Sequence, residues 1–465
     1  MKKVLTFLIM VVLAFTATVF GACSDKTPDA ISSRYKNLAE GGSFVSDEGG
    51  AGDSAVFDFG KKVLINTVVL KEKGSNVTSF EIYADGNETP VYGNDYVDGY
   101  RYCTFAPTET SKLTIKVLTS DGKWQFADLE AYLIIKEAED FRVMSYIYAD
   151  TAFTITQKQK EIAGCVTQFN VFGCTYFDAK GEIVFVDYDI NGETYDGEQV
   201  LKGAVENLKE INPSASIVVT LLANRDFGDG MTTTERHNSA MDKYADKLTA
   251  NILKLLDDFG FDGVSFDYEY PEKIKDFNVF ADYIKKLDAA LGKDRILTAA
   301  ISDWCIRTFG YSVKDLEPLD SIEVMSYDMF DERGNHSTFY NSCYSILKNF
   351  EKKGIDLSKV NLGIPFYSRP VNEDTFWGNY YDVAAQLSPF ENAVVQEYTD
   401  LDGVKHPALS NYYNGRQMVY DKTRYAIDCG AGGVMIWHFG CDSVDPELSL
   451  LNQINAAVKG TYTIQ

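Results

Sequence analysis

From residue 141 onward the chain repeats one pattern: a short apolar run, then a stretch with helical periodicity. Eight such runs occur. They are Val143-Met144-Ser145-Tyr146-Ile147, Gln168-Phe169-Asn170-Val171-Phe172, Ile217-Val218-Val219-Thr220-Leu221, Gly263-Val264-Ser265-Phe266-Asp267, Ile296-Leu297-Thr298-Ala299-Ala300, Ser321-Ile322-Glu323-Val324-Met325, Val360-Asn361-Leu362-Gly363-Ile364 and Gly433-Val434-Met435-Ile436-Trp437. Between them, 246–258 places Leu248, Ile252, Leu255 and Leu256 on one helical face, and 277–291 does the same with Val279, Tyr283, Ile284 and Leu287. Eight βα units fit an α/β chain folded as a (β/α)8 TIM barrel over 138–465. An open doubly wound sheet is the alternative. It is weakened because no Gly-rich phosphate turn follows the first strand.

The chain has 465 residues, more than one core usually holds, so a second domain is expected. Residues 44–137 supply it. Their period-two runs (Leu64 to Leu70, Phe80 to Tyr83, Leu113 to Val117) are punctuated by Gly74-Ser75-Asn76, Asp85-Gly86 and Asp121-Gly122, which predicts a small all-β sandwich. Phe57-Asp58-Phe59-Gly60, Val68 to Leu70, Phe80 to Gly86 and Ala127 to Tyr132 resemble the discoidin-like, galactose-binding type of sandwich used as a carbohydrate-binding module. Trp124 beside an Asp-Gly turn is a candidate sugar platform or a half-buried loop aromatic.

At the N-terminus, Lys2 and Lys3 precede an apolar run and Gly21-Ala22-Cys23, the marks of a signal peptide over 1–22. Cys23 after Gly-Ala resembles a bacterial lipobox. That resemblance implies a lipidated Cys23, a polar tether over 23–43, and a protein held at the cell surface or on the periplasmic side of a membrane, or otherwise secreted. Lys+Arg number 44 against 68 Asp+Glu, a net charge of −24. An acidic chain without a basic block argues against nucleic acid and fits an uncharged glycan. With no Cys-x-x-Cys and four His, neither a metal site nor any other cofactor is expected.

The chemistry sits on the fourth strand. In Asp262-Gly263-Val264-Ser265-Phe266-Asp267-Tyr268-Glu269-Tyr270-Pro271, period two puts Val264, Phe266 and Tyr268 on one face and Ser265, Asp267 and Glu269 on the other. The bulky face suits the helices, so the polar face points into the barrel, at the end where barrel enzymes work. Two carboxyls there suggest glycoside hydrolysis, the neighbour raising the acid's pKa. But residues i and i+2 lie on the same side of a substrate, so Asp267 is poorly placed as the nucleophile. The remaining option is a nucleophile from the substrate itself, such as a 2-acetamido oxygen.

This segment resembles the Asp-x-x-Asp-x-Asp-x-Glu signature of glycoside hydrolase family 18, the chitinases and endo-β-N-acetylglucosaminidases. Met325-Ser326-Tyr327-Asp328, Gly363-Ile364-Pro365-Phe366-Tyr367-Ser368-Arg369 and Gly432-Gly433-Val434-Met435-Ile436-Trp437 resemble further motifs of that family on the sixth, seventh and eighth strands. The resemblance implies Glu269 as acid and then base, Asp267 orienting the acetamido group, and Tyr327 bonding its oxygen. It also implies Asp328 against the distorted sugar and Trp437 beneath it, with Met325, Tyr146 and Ser265 as further contacts and Arg369 either contacting sugar or pairing structurally. Ser265 stands where the family has its middle Asp and could donate to Asp267. Thr220-Leu221-Leu222-Ala223 replaces the family's Ser-x-Gly-Gly.

The activity this implies is retaining hydrolysis of β-1,4 GlcNAc–GlcNAc bonds in chitin or chitooligosaccharides. The alternatives are cleavage of the N-glycan chitobiose core, or a catalytically weak surface lectin. The 62 residues from Pro370 to Ala431, with Trp377, are expected to hold a small insertion walling the cleft or a mobile loop.

Overall fold

The computed structural model describes residues 30–309, 313–400 and 402–464. The leader and Cys23 lie outside them. Among the described residues no helix is long and apolar enough to cross a membrane.

The eight runs form eight parallel strands: β1 (Arg142–Tyr148), β2 (Gln168–Phe172), β3 (Ser216–Leu221), β4 (Gly263–Asp267), β5 (Ile296–Ser302), β6 (Ser321–Met325), β7 (Val360–Pro365) and β8 (Gly433–Trp437). They close into a barrel in chain order, β8 pairing with β1. The doubly wound alternative is excluded. The register sets Asp267, Ala300, Glu323 and Asn361 side by side around the wall. Parallel neighbours share a face, so all four point inward. Outward residues pack on helices: Phe266 meets Phe280 and Tyr283 edge-on, and Tyr268 stacks on His237 at 3.8 Å. The helix Ala245–Phe259 buries Leu248, Ile252, Leu255 and Leu256 and ends where Gly260 takes φ +70°, its N–H bonding Leu256 O.

The N-terminal region is all-β, but its seven strands are hydrogen-bonded into one antiparallel sheet rather than two. Two long strands, Ser54–Glu72 and Arg101–Ser120, run through register breaks at Asp58/Val63 and Ile65/Thr67. Bulges of this kind bend a strand and let one sheet cover its own core. Trp124 is buried in that core and donates Nε1–H to Gly50 O at 2.8 Å, so it is not a sugar platform. Val68 and Leu70 face this core while Val69, Tyr102 and Tyr132 face the barrel. That accounts for the unbroken apolar run there.

The docking element is the helix Arg416–Cys429, buried from Gln417 to Cys429. Asp421 accepts from Tyr92 Oη (2.8 Å), Thr104 N (3.1 Å), Thr104 Oγ1 (2.5 Å) and Gln417 Nε2 (2.9 Å), with Arg101 Nη2 at 3.4 Å. Asp428 accepts from Tyr102 Oη at 2.5 Å and Arg424 Nη2 at 3.0 Å. These acids are held by complete donor sets, as burial requires.

Between β7 and β8, Gly378–Asn379, Tyr367–Pro370, Lys405–Tyr412 and Ala393–Thr399 form a four-stranded antiparallel sheet in that order. The segment is therefore a folded insertion, and it delivers Tyr367 and Trp377 to the cleft.

Candidate active site

A cleft of about 380 Å³ opens at the C-terminal ends of the strands. Asp267 closes β4 and Glu269 follows two residues later, both lining the floor with Tyr146 from β1 and Met325 from β6. Burial pushes the Asp267 carboxyl well above its usual range, and the charges of Glu269 and Glu323 push the same way, as does the hydrogen bond Asp267 gives Glu269. Burial also raises Glu269, while donors from Tyr270 and Asp267 partly offset it. Both carboxyls are thus favoured toward the protonated form, Asp267 the more strongly. Such pairs, pushed apart by environment, mark acid–base sites.

Tyr327 lies just after β6. Burial drives its phenol far up, with Asp267, Glu269 and Asp328 adding to the shift, so it stays a donor at any working pH. Asp328, next in sequence, adopts φ +53°, a conformation aspartate tolerates better than most residues. Its carboxylate receives a fork from Arg369, Nε at 2.8 Å and Nη2 at 3.2 Å. Burial alone would raise Asp328, but His336 and Arg369 outweigh it and hold it well below the usual carboxylate range. The guanidinium also lies 5.3 Å from the Tyr367 ring and 5.7 Å from that of Trp377. Trp377 stacks on Tyr367 at 4.1 Å, and Trp437 packs on Tyr146 at 5.2 Å and Phe172 at 4.8 Å. Three indoles and four phenols thus line the cleft: Trp304, Trp377, Trp437, Tyr146, Tyr270, Tyr327 and Tyr367. Burial pushes the Cys174, Cys343 and Cys441 thiols up to about 12, far from nucleophilic.

The structure brings together Glu269, Asp267, Tyr327, Asp328, Met325, Tyr146 and Trp437 as the sequence suggests. One expectation is corrected, and of its two roles Arg369 takes the structural pairing: it forks onto Asp328 and does not line the cleft. Ser265 is fully buried beneath the floor and donates to Glu323 Oε2 at 2.8 Å, not to Asp267. A buried carboxylate at that distance is the stronger acceptor, and Asp267 is already turned to Glu269.

Sequence reasoning missed Glu323, Trp304 and Arg307. Trp304 is 43% exposed on the short helix Asp303–Phe309 after β5, edge-on to Tyr270. Arg307 joins it at the rim, its Nε 2.5 Å from Asp303. Glu323 is 0% exposed inside the barrel. It accepts from Tyr146 Oη at 2.5 Å, Ser265 Oγ at 2.8 Å and Asn170 Nδ2 at 3.0 Å.

A closed parallel barrel with this acid pair and aromatic wall can be compared with known proteins. The sequence profile of glycosyl hydrolases family 18 matches residues 144–442. The chain belongs to glycosyl hydrolase family 18. It is 31% identical over 244 residues to a probable endochitinase of Caenorhabditis elegans, covering 42% of this chain and 39% of that protein. It is 26% identical over 232 residues to the endochitinase of Manduca sexta, covering 44% and 40%. The chain thus spans about two fifths of the length of these curated relatives. The crystal structure of the GH18 chitinase ChiB from the chitin utilization locus of Flavobacterium johnsoniae superposes with a TM-score of 0.54. It is 21% identical and covers 70% of this chain and 94% of its own. At that identity the likeness establishes the fold.

Proposed function

We propose that this protein is a retaining glycoside hydrolase that cleaves β-1,4 bonds between GlcNAc units of chitin or chitooligosaccharides, with the substrate's acetamido oxygen as nucleophile. The observation that carries the reading is the state of the three carboxyls lining the cleft. Asp267 and Glu269 line one side two residues apart, both carboxyls raised by burial. Asp328 is engaged by the Arg369 fork and is not free to attack. Acid catalysis is thus provided for, while the covalent nucleophile is left to the substrate.

In this reading Glu269 protonates the leaving oxygen and then activates water. The bound acetamido N–H turns Asp267 into an acceptor, so its proton passes to Glu269. The ring closure puts positive charge beside Asp267, and Tyr327 bonds the acetamido oxygen. Trp437 supplies the apolar floor, Met325 and Tyr146 its edges, and Asp328 fixes a hydroxyl of the reacting sugar. The related chitinases support the substrate class.

The test is incubation of the purified protein with GlcNAc hexamer, with products read by mass and initial anomer, beside Glu269→Gln. Short β-anomeric products, absent in the variant, bear the reading out. An intact hexamer removes it in favour of N-glycan cleavage or binding alone.

We further read the N-terminal sheet as a discoidin-like carbohydrate-binding module and Cys23 as the site of a lipid anchor to a bacterial membrane. The strand pattern supports the first and the Gly-Ala-Cys sequence the second. Loss of membrane retention in Cys23→Ala tests the anchor, and sheet-dependent retention on chitin tests the module.

A further inference from the structure

The barrel interior holds a third acid that this mechanism does not use. Glu323 sits on β6, fully buried, level with Asp267 around the wall through Ala300. Its partners come from three strands: Tyr146 on β1, Asn170 on β2 and Ser265 on β4. All three are neutral side chains donating to it, and β5 presents Thr298 beside Ser265. From the remaining strands, β3 presents Thr220, β7 presents Asn361 and β8 presents Met435, none of them ionisable. The titratable groups facing Glu323 are therefore Tyr146 and Asp267, with Glu269 beyond. A buried carboxyl with this many donors, and no cation facing it among the described residues, is costly to assemble unless it is used.

The position of Ser265 says what that use is. Serine stands where the signature has an acid, and its hydroxyl reaches the Glu323 carboxylate across the barrel. We propose that Glu323 is a positioning residue that supplies from β6 the buried acid missing from β4 and acts through its charge on the Asp267–Glu269 pair. Burial raises the Glu323 carboxyl and its donors offset only part of that, while its charge, when ionised, raises Asp267. Removing the charge lowers the pair's affinity for its proton, so the basic limb of activity moves to lower pH. The interior has room for one acid: aspartate at 265 beside Glu323 would set two carboxyls where Ser265 Oγ and Glu323 Oε2 are now 2.8 Å apart. The activity arm of this inference rests on the proposed hydrolysis; the charge relation does not.

The experiment compares wild type, Glu323→Gln, Ser265→Asp and the double variant. One readout is the pH profile of kcat and KM on GlcNAc oligomers; the other is the carboxyl 13C titration of the substrate-free protein. Glu323→Gln is expected to lower the basic limb and the pair's titration by about one unit or more, as a like charge at close range does. It lowers kcat at neutral pH about tenfold and leaves KM within about twofold. Ser265→Asp alone loses stability and activity. Ser265→Asp with Glu323→Gln recovers the wild-type limb and most of kcat, because the acid is back on β4. A folded Glu323→Gln with an unshifted titration overturns the proposal, as does a double variant no better than Glu323→Gln. If the wild type leaves the oligomers intact, hydrolysis is refuted, and the titration decides Glu323 by itself.

Discussion

Arg369 gives the sharpest test of how the cleft wall works. It contacts no cleft space itself, yet its fork sets Asp328 and its face meets Tyr367 and Trp377. The Asp328 side chain is 41% exposed, so solvent screens the pair, and its two charged hydrogen bonds together contribute about 1–2 kcal/mol. Two ring contacts add about 0.5–1 kcal/mol each. Arg369→Met should therefore lose about 2–4 kcal/mol of transition-state stabilisation, roughly 30- to 900-fold in kcat/KM. Arg369→Lys keeps a charge but not the planar fork, and should lose about tenfold. The assay is kcat/KM on short chromogenic GlcNAc oligomers, with thermal melting as the control for folding. A Lys variant within twofold of wild type would show that Asp328 needs only a nearby charge and would refute the fork argument.

Other outcomes follow from the same geometry. Asp267→Asn removes the carboxyl partner of Glu269; kcat should fall at least about 100-fold, with binding of a GlcNAc oligomer, measured by calorimetry, largely kept. Trp304→Ala should weaken binding of long oligomers more than short ones, by about 1 kcal/mol, seen as a length-dependent change in KM. Asp421→Ala strips the acceptor from the donors that dock the N-terminal sheet; it should cost about 3–5 kcal/mol in denaturant unfolding or uncouple sheet from barrel into two transitions. Lys422 is buried against Ser337 O and Ser342 Oγ, and burial brings its pKa down to about 7. It binds fewer protons folded than unfolded between about 7 and the usual lysine value. Its contribution to stability therefore grows as pH rises through that window. Relative to Lys422→Met, wild type should gain stability from pH 7 to 9, measured by urea unfolding.

The barrel was legible because strand runs and helical periods alternate without a gap, and closure follows from eight of them. The acid pair was legible because period two on β4 separates its bulky from its polar side chains. The same rule applied to Ser321-Ile322-Glu323-Val324-Met325 places Glu323 inward, so that residue was readable and overlooked; its link to Ser265 was not, since register across strands is absent from sequence. Sequence left Arg369 open between sugar contact and structural pairing because it cannot show that Asp328, at φ +53°, meets the guanidinium. The helix Arg416–Cys429 carries Asp421, Lys422, Arg424 and Asp428, and nothing in that charged sequence shows that it lies buried between barrel and sheet. Trp304 and Arg307 lie on a short helix after β5, where no spacing signals a rim.

The central claim is that Glu269 is the acid and the substrate its own nucleophile. The most direct measurement is the hydrolysis of a GlcNAc oligomer whose 2-acetamido oxygen is replaced by sulfur, beside its natural counterpart. The account predicts that the natural oligomer is cut with retention, and that the thioamide is cut poorly while stalling the enzyme as a cyclic thiazoline. Equal cleavage of both, or products of inverted configuration, would contradict it.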